Sequence, residues 1–247
     1  MIIEKKVVVT IEARMTSSRL PGKILMECCG KPLLQHMIER IRRSKRIDDI
    51  IVATTVNKED DAVEELCKKI ECNCFRGSEE DVLLRVLEAA KSIGADVIVE
   101  TTGDCPVIDW RHIDYLVDIY ASENYDYVAN NTIRSFPDGF DVRIFSTKML
   151  EEINSITDES DDHEHVSIYF IKYPEKYNLY NWTASDSFNR PELEITLDEY
   201  GDYQLINAVY EGLYYNNPDF TCKDVIDFLD ANNDVRNYVN GIKRTIV

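Results

Sequence analysis

Residues 7–23 read VVVTIEARMTSSRLPGK, an apolar run that passes directly into a cationic loop, and this junction decides the fold. Val7, Val8, Val9, Thr10 and Ile11 are β-branched, and such side chains suit a pleated strand better than a helix. The run is apolar without alternation, which is the pattern of a strand covered on both faces in a parallel sheet. Just beyond it, Ala13-Arg14-Met15-Thr16-Ser17-Ser18-Arg19-Leu20-Pro21-Gly22-Lys23 gathers three cations, three hydroxyls and a glycine. In open α/β sheets ligands bind at the carboxyl ends of strands, and charge-assisted bonds from Arg and Lys hold anions well. The loop therefore suggests a phosphate site; the alternative is a solvated basic loop.

The same alternation continues outward from this junction. Helical patterns are expected from Pro32 to about Arg43, with Pro32 in the first turn, from Glu59 to Ile70 and from Glu79 to Ile93. Between them lie strand-like runs at Ile50–Thr54, Cys72–Phe75 and Val97–Val99, the last leading to Thr102-Gly103-Asp104. This βαβα order predicts an α/β fold with a mainly parallel, doubly wound sheet flanked by helices. After Trp110 the pattern changes. Helices are expected near 110–122, 147–155, 163–172, 200–215 and 222–231, and short strands near 126–130, 141–145, 177–183 and 193–197. No linker or repeat interrupts residues 1–247, so one domain is expected, with residues from about 125 to 197 completing the sheet and forming a small lobe beside the cleft.

Composition narrows the function. In 247 residues, 44% are hydrophobic and 30% charged, the balance of a soluble globular chain. No apolar run reaches the roughly 18 residues a membrane span needs, and Met1–Lys6 lacks the apolar region of a signal peptide, so a cytoplasmic protein with no membrane partner is expected. Seven cysteines with no C-x-x-C pair read as reduced, packed thiols. A net charge of −18 argues against nucleic acid as a partner. The charge is uneven: residues 1–47 hold eleven Lys/Arg against four Glu, net +7, which leaves −25 in the remainder. The basic end is the end with the loop.

Two common phosphate loops are excluded. Ser17 stands where the first glycine of G-x-x-x-x-G-K-[S/T] belongs and Ile24 follows Lys23, and no two glycines are one residue apart as G-x-G-x-x-G requires. Instead, A-R-x-x-S-x-R-L-P-G-K resembles the nucleotide-binding signature of the cytidylyltransferases that activate acidic sugars. Arg76-Gly77-Ser78-Glu79-Glu80-Asp81-Val82-Leu83, Gly103-Asp104-Cys105-Pro106, Pro137-Asp138-Gly139-Phe140-Asp141-Val142, Glu164-His165-Val166 and Leu197-Asp198 are most similar to the spore coat polysaccharide biosynthesis protein F-like branch of that group. The matches run in order from about residue 7 to 210.

The resemblance implies a Rossmann-like nucleotidyltransferase of glycosyltransferase-A type that uses CTP and Mg2+, with a sugar or sugar acid as acceptor and a homodimer as the assembly. Ala13, Arg14, Ser18, Arg19, Gly22 and Lys23 would hold the nucleotide, with Lys23 nearest the α-phosphate and Arg14 and Asp104 completing the catalytic set. Asp104 and Asp198 would hold the metal; a lone Asp at a strand-to-helix junction also reads as a helix N-cap. Arg76, Gly77, Ser78 and Asp81 would reach the base, although Ser78 and Asp81 read equally well as caps of the next helix. Asp138, Asp141, Arg143, Glu164 and His165 would face the acceptor, and Asp138-Gly139 reads equally well as a hairpin turn. His163 and His165 point about 200° apart on a helix and lack a third ligand, so a zinc site is not expected. Cys105 stands where octulosonate enzymes carry Glu, which leaves the acceptor sugar open, and reads as a packed thiol. A glycosyltransferase of the same fold is the alternative, but its metal-dependent members usually carry Asp-x-Asp, and no two aspartates here are separated by a single residue.

Overall fold

The computed structural model describes residues 5–241, and the β-branched run forms the strand around which it is built. Strand β1 (Val7–Glu12) leads through the cationic loop to a small antiparallel hairpin, β2 (Glu27–Cys28) and β3 (Lys31–Pro32). Cys29 and Gly30 turn it with positive φ at both positions, 47° and 78°, the geometry that matches strand twist in two-residue hairpins. Then follow α1 (Leu33–Ile41), β4 (Asp49–Thr55), α2 (Asp61–Lys69), β5 (Asn73–Gly77), α3 (Val82–Ser92), β6 (Val97–Thr102) and α4 (Trp110–Ser122). The remainder comprises β7 (Tyr127–Ala129), β8 (Arg143–Ser146), α5 (Thr147–Ile156), α6 (Ser160–Glu164), α7 (Ile168–Lys172), β9 (Leu179–Asn181), α8 (Tyr200–Leu213), α9 (Cys222–Ala231) and α10 (Asn233–Arg236).

The main sheet has the order β5-β4-β1-β6-β8-β7-β9, and within it β8 alone runs against its neighbours. Both faces are covered, as the unalternating strands require. Val9 and Ile11 of β1 pack with Leu34, Met37 and Ile38 of α1 and with Ile113 and Leu116 of α4. Val8 packs on the other side with Leu83, Val86 and Leu87 of α3 and with Phe145 and Phe170. A third core, under α8 and α9, buries Leu33, Val107, Phe140, Leu193, Ile195 and Leu197. No helix among the described residues is long and apolar enough to cross a membrane.

Several boundaries differ from those expected, each for a local reason. Pro32 lies just ahead of α1 at ψ 144°, outside the helix. Helix α3 starts at Val82 because Asp81 caps it, accepting from Leu84 N at 2.9 Å, so 79–81 stay outside. Arg76 and Gly77 belong to β5, paired with Thr54 and Thr55. The helix expected over 163–172 is two short ones, separated where buried Val166 takes φ 43°. Residues 193–197 are not a sheet strand: their alternating apolar side chains enter the third core, and only a single parallel bridge, Asp138 to Glu194, marks them. Gly139, at φ 98°, lies so close to this segment that a Cβ there would stand 2.8 Å from the Ile195 carbonyl oxygen.

Candidate active site

Strands β5, β4, β1 and β6 are parallel, so their carboxyl ends share one edge of the sheet, and a cleft of about 330 Å3 opens there. Glu12 and Ala13 at the end of β1 and Thr102, Gly103 and Asp104 at the end of β6 form its floor. The loop after β1 supplies Arg14, Ser17, Ser18, Arg19, Lys23 and Ile24. Its backbone is held independently of those cations: Met15 N donates to buried Asp60 at 2.7 Å, Gly22 N donates to the Met15 carbonyl at 2.9 Å, and Ile24 is buried. Thr16 adds a bond to Glu79 at 2.7 Å, and Gly22 accommodates the closing turn at φ 74°.

The centre of the cleft is an ionic cluster. Lys23 Nζ lies 3.0 Å from Asp198 and 3.5 Å from Asp104, and Arg19 reaches Asp198 at 2.8 Å. The two aspartates, 94 residues apart in sequence, are brought together by the main chain: Leu197 N donates to the Asp104 carbonyl at 2.8 Å. Neither carboxylate caps a helix. Glu199 caps α8, with Asp202 receiving the N–H groups of Asp198 and Glu199 at 2.9 and 2.7 Å, and Asp109 caps α4. The Asp198 side chain is thereby left to the cluster, and Asp104 also accepts from Thr102 Oγ1 at 2.5 Å. An ammonium bridging two carboxylates occupies a position that suits a hard cation, which takes carboxylate and phosphate oxygens together with water. Among the described residues no group of three or more His, Cys, Asp or Glu forms a metal cage, so this pair would leave the remaining coordination positions to other oxygens.

The cleft gathers Ala13, Arg14, Ser18, Arg19, Lys23, Asp104, Asp198, Glu164 and His165 of the residues expected from sequence. His163 turns away, bonding Asp81 at 2.8 Å and the Thr157 carbonyl at 3.0 Å, while His165 faces the cleft with Asp161 at 3.6 Å. The residues assigned to the base do not line the cleft. Arg76 pairs with Asp61 and Glu64 at 2.6 and 3.0 Å and donates to two carbonyls. Gly77 makes room for Arg85, whose Cγ a Cβ there would meet at 2.9 Å, the Ser78 carbonyl accepts from Arg85 and the Ser78 hydroxyl accepts from Asp81 N, and Asp81 is a cap. On the acceptor side, Asp138, Asp141 and Arg143 sit behind the lining, not in it. Arg134 reaches Asp138 and Asp141 at 3.1 Å each, and Arg143 pairs with Glu100 at 3.2 Å. Burial, with Asp141 beside it, pushes Asp138 up to about 6. Cys105 is buried, and burial raises its thiol far above the usual range, the state of a packed residue.

Two charged lining residues had been given no place in the site. Arg85 of α3 is buried at 2% exposure with its Nε unpartnered, and Glu12 has an unpartnered Oε1 sealed from solvent. Burial, reinforced by Glu100, pushes Glu12 up to about 8, so it holds a proton at neutral pH. The only sequence signal was an acid at the last position of an otherwise apolar strand. A raised acid binds its proton more tightly folded than unfolded, so its contribution to stability is lost as pH rises from about 4.5 towards 8. Glu12→Gln, which cannot ionise, should therefore melt above wild type by a margin that grows by more than about 1 kcal/mol between pH 5 and 8. A margin constant across thermal melts in that range would show that Glu12 is ionised in the fold.

Comparison with known proteins places this geometry. A family model for cytidylyltransferases matches residues 8–215, which include the loop and both aspartates. An uncharacterised protein of Methanocaldococcus jannaschii is 34% identical over 239 residues, 97% of this chain and 96% of that one. The spore coat polysaccharide biosynthesis protein SpsF of Bacillus subtilis is 32% identical over 229 residues, 91% of this chain and 94% of its own. The solved structure of a cytidylyltransferase from Leptospira borgpetersenii matches with TM-score 0.89 and 32% identity, over 98% of this chain and 100% of that one.

Proposed function

The chain belongs to the cytidylyltransferase family, and from that premise we propose that it transfers CMP from CTP to a sugar or sugar-acid acceptor with release of pyrophosphate, with Mg2+ as cofactor, in making a surface polysaccharide or glycoconjugate. The observation that carries this reading is the Lys23 ammonium shared between Asp104 and Asp198 at the strand ends. An acceptor oxygen bonds to the α-phosphorus as the bond to the β-phosphate oxygen breaks, and negative charge grows on the phosphate oxygens. Fixed cations aimed at that charge stabilise the transition state more than the ground state. Arg14 and Arg19 would grip the triphosphate, and Lys23 would serve the α-phosphate. Asp104 and Asp198 fit the metal, which when bound supplies further neutralisation of phosphate charge. Lys23 must then exchange its carboxylate partners for phosphate, keeping the cluster balanced in both states. Glu164 and His165, lining the cleft from the end of α6, would meet the acceptor.

Nucleoside triphosphates with Mg2+ test this directly, because a ligand that binds only the folded state raises stability by mass action. CTP should raise the melting temperature more than ATP, GTP or UTP, and pyrophosphate should appear only when a sugar acid or sugar accompanies it. Stabilisation by a nucleotide sugar, without a CTP effect, would instead favour a glycosyltransferase.

A further inference from the structure

Away from the cleft, at the amino ends of β4 and β5, three thiols meet where α2 gives way to the sheet. The helix ends with Cys72 N donating to the Cys67 carbonyl at 2.9 Å and Glu71 N to that of Lys68 at 3.4 Å, while Glu71 takes φ 54°. This pair of bonds is a helix stop that packs the side chains at its first and last positions together. Here those positions are Cys67 and Cys72. Cys74 lies two residues further along and so shares the face of Cys72. The Cys67 thiol, fully buried, interacts with those of Cys72 and Cys74, and the Cys72 Sγ also donates to the Ile50 carbonyl at 3.8 Å. Cys72 is half-buried and lines a second surface cavity of about 240 Å3 together with Arg42 and Asp49. The Arg42 guanidinium is fixed beside it by bonds to the Ile70 and Glu71 carbonyls at 2.7 and 2.8 Å. All seven cysteines are free thiols in this structure.

We propose that Cys72 is a peroxide-reactive thiol that Cys67 resolves into a Cys67–Cys72 disulfide, a reversible oxidation site on the edge of the sheet opposite the cleft. The thiolate is the reactive form of cysteine, and oxidisable thiols are accessible, close to positive charge and next to a resolving partner. Cys72 has all three attributes. The Cys67 thiol and the Arg42 charge both favour its thiolate, against burial, Cys74 and Asp49. The Cys74 thiol is lowered too, by Cys67 and by Arg76 and Lys68 against burial and Glu64, but it does not line the cavity, and buried Cys67 keeps its proton. In the first step the Cys72 thiolate attacks one peroxide oxygen, the O–O bond breaks and hydroxide leaves, so that sulfur is oxidised to a sulfenic acid and peroxide is reduced. In the second, the Cys67 sulfur attacks that of Cys72, the S–O bond breaks, and the hydroxyl leaves with the Cys67 proton as water.

The test treats the full chain with hydrogen peroxide and counts thiols, which needs no nucleotidyl transfer and so stands apart from the proposed function. Two thiols per chain should be lost and recovered with dithiothreitol. Trypsin cuts at Lys68 and Lys69, so a Cys67–Cys72 bond joins two separate peptides visible by mass spectrometry. Cys72→Ser should slow the first oxidation by about 10-fold or more, and Cys67→Ser should leave a Cys72 sulfenic acid that dimedone captures. A cross-link that omits Cys72, or an unchanged rate in Cys72→Ser, overturns the proposal.

Discussion

Lys23→Ala should lower the rate of nucleotidyl transfer by about 10²- to 10³-fold, the usual cost of removing one preorganised charge from a developing oxyanion. The effect should fall mainly on kcat. Arg14 and Arg19 remain to bind the triphosphate, whereas Lys23 is the cation placed against both Asp104 and Asp198. The fold should survive, because the loop is closed by main-chain bonds of Gly22 and Lys23 and anchored by Ile24, none of which uses the ammonium. Lys23→Arg should not restore the rate, since a planar guanidinium is bulkier and more diffuse than a point charge. Steady-state kinetics with a circular dichroism melt decide the matter. Undiminished turnover would remove Lys23 from the chemistry.

Asp198→Asn and Asp104→Asn should each lower the rate by about 10²-fold or more and raise the Mg2+ concentration needed for half the maximal rate. Each keeps its shape and its main-chain bonds while losing one charge: Asp198 N still donates to Asp202, and the Asp104 carbonyl still accepts from Leu197. Because both carboxylates act on one cation, the double variant should lose less than the product of the single losses. Rates that persist in EDTA, equal in wild type and variants, would sink the metal assignment.

The strands that build the cleft were legible because their apolar runs are uninterrupted. The helix over 222–231 was legible too, its start fixed by the Thr221 and Asp224 capping box. The cationic loop and the two aspartates were also legible, as residues at strand ends. What escaped was pairing at a distance. Nothing in the spacing shows that Arg76 is neutralised by Asp61 and Glu64, or that Arg143 and Arg134 face Glu100, Asp138 and Asp141. A charged residue in a motif looks available until its partner is known. Residues 193–197 misled for a related reason: alternation reports one buried face, and a helix layer buries that face as well as a sheet does.

The contact at Gly139 bears on how such a protein can diversify. Asp138 N donates to the Leu193 carbonyl and the Asp138 carbonyl accepts from Ile195 N, Leu197 is bonded to Asp104, and Gly139 is pressed against the intervening peptide. The spacing of the two backbones that carry the carboxylates is thus written in peptide groups, like a ruler, while Lys23, Arg19 and Thr102 hold the carboxylates themselves. Lineages can exchange the residues that greet the acceptor without detuning the charged pair. The same ruler makes one side-chainless position, remote from any chemistry, a place where a single methyl group would be felt as a lesion of catalysis.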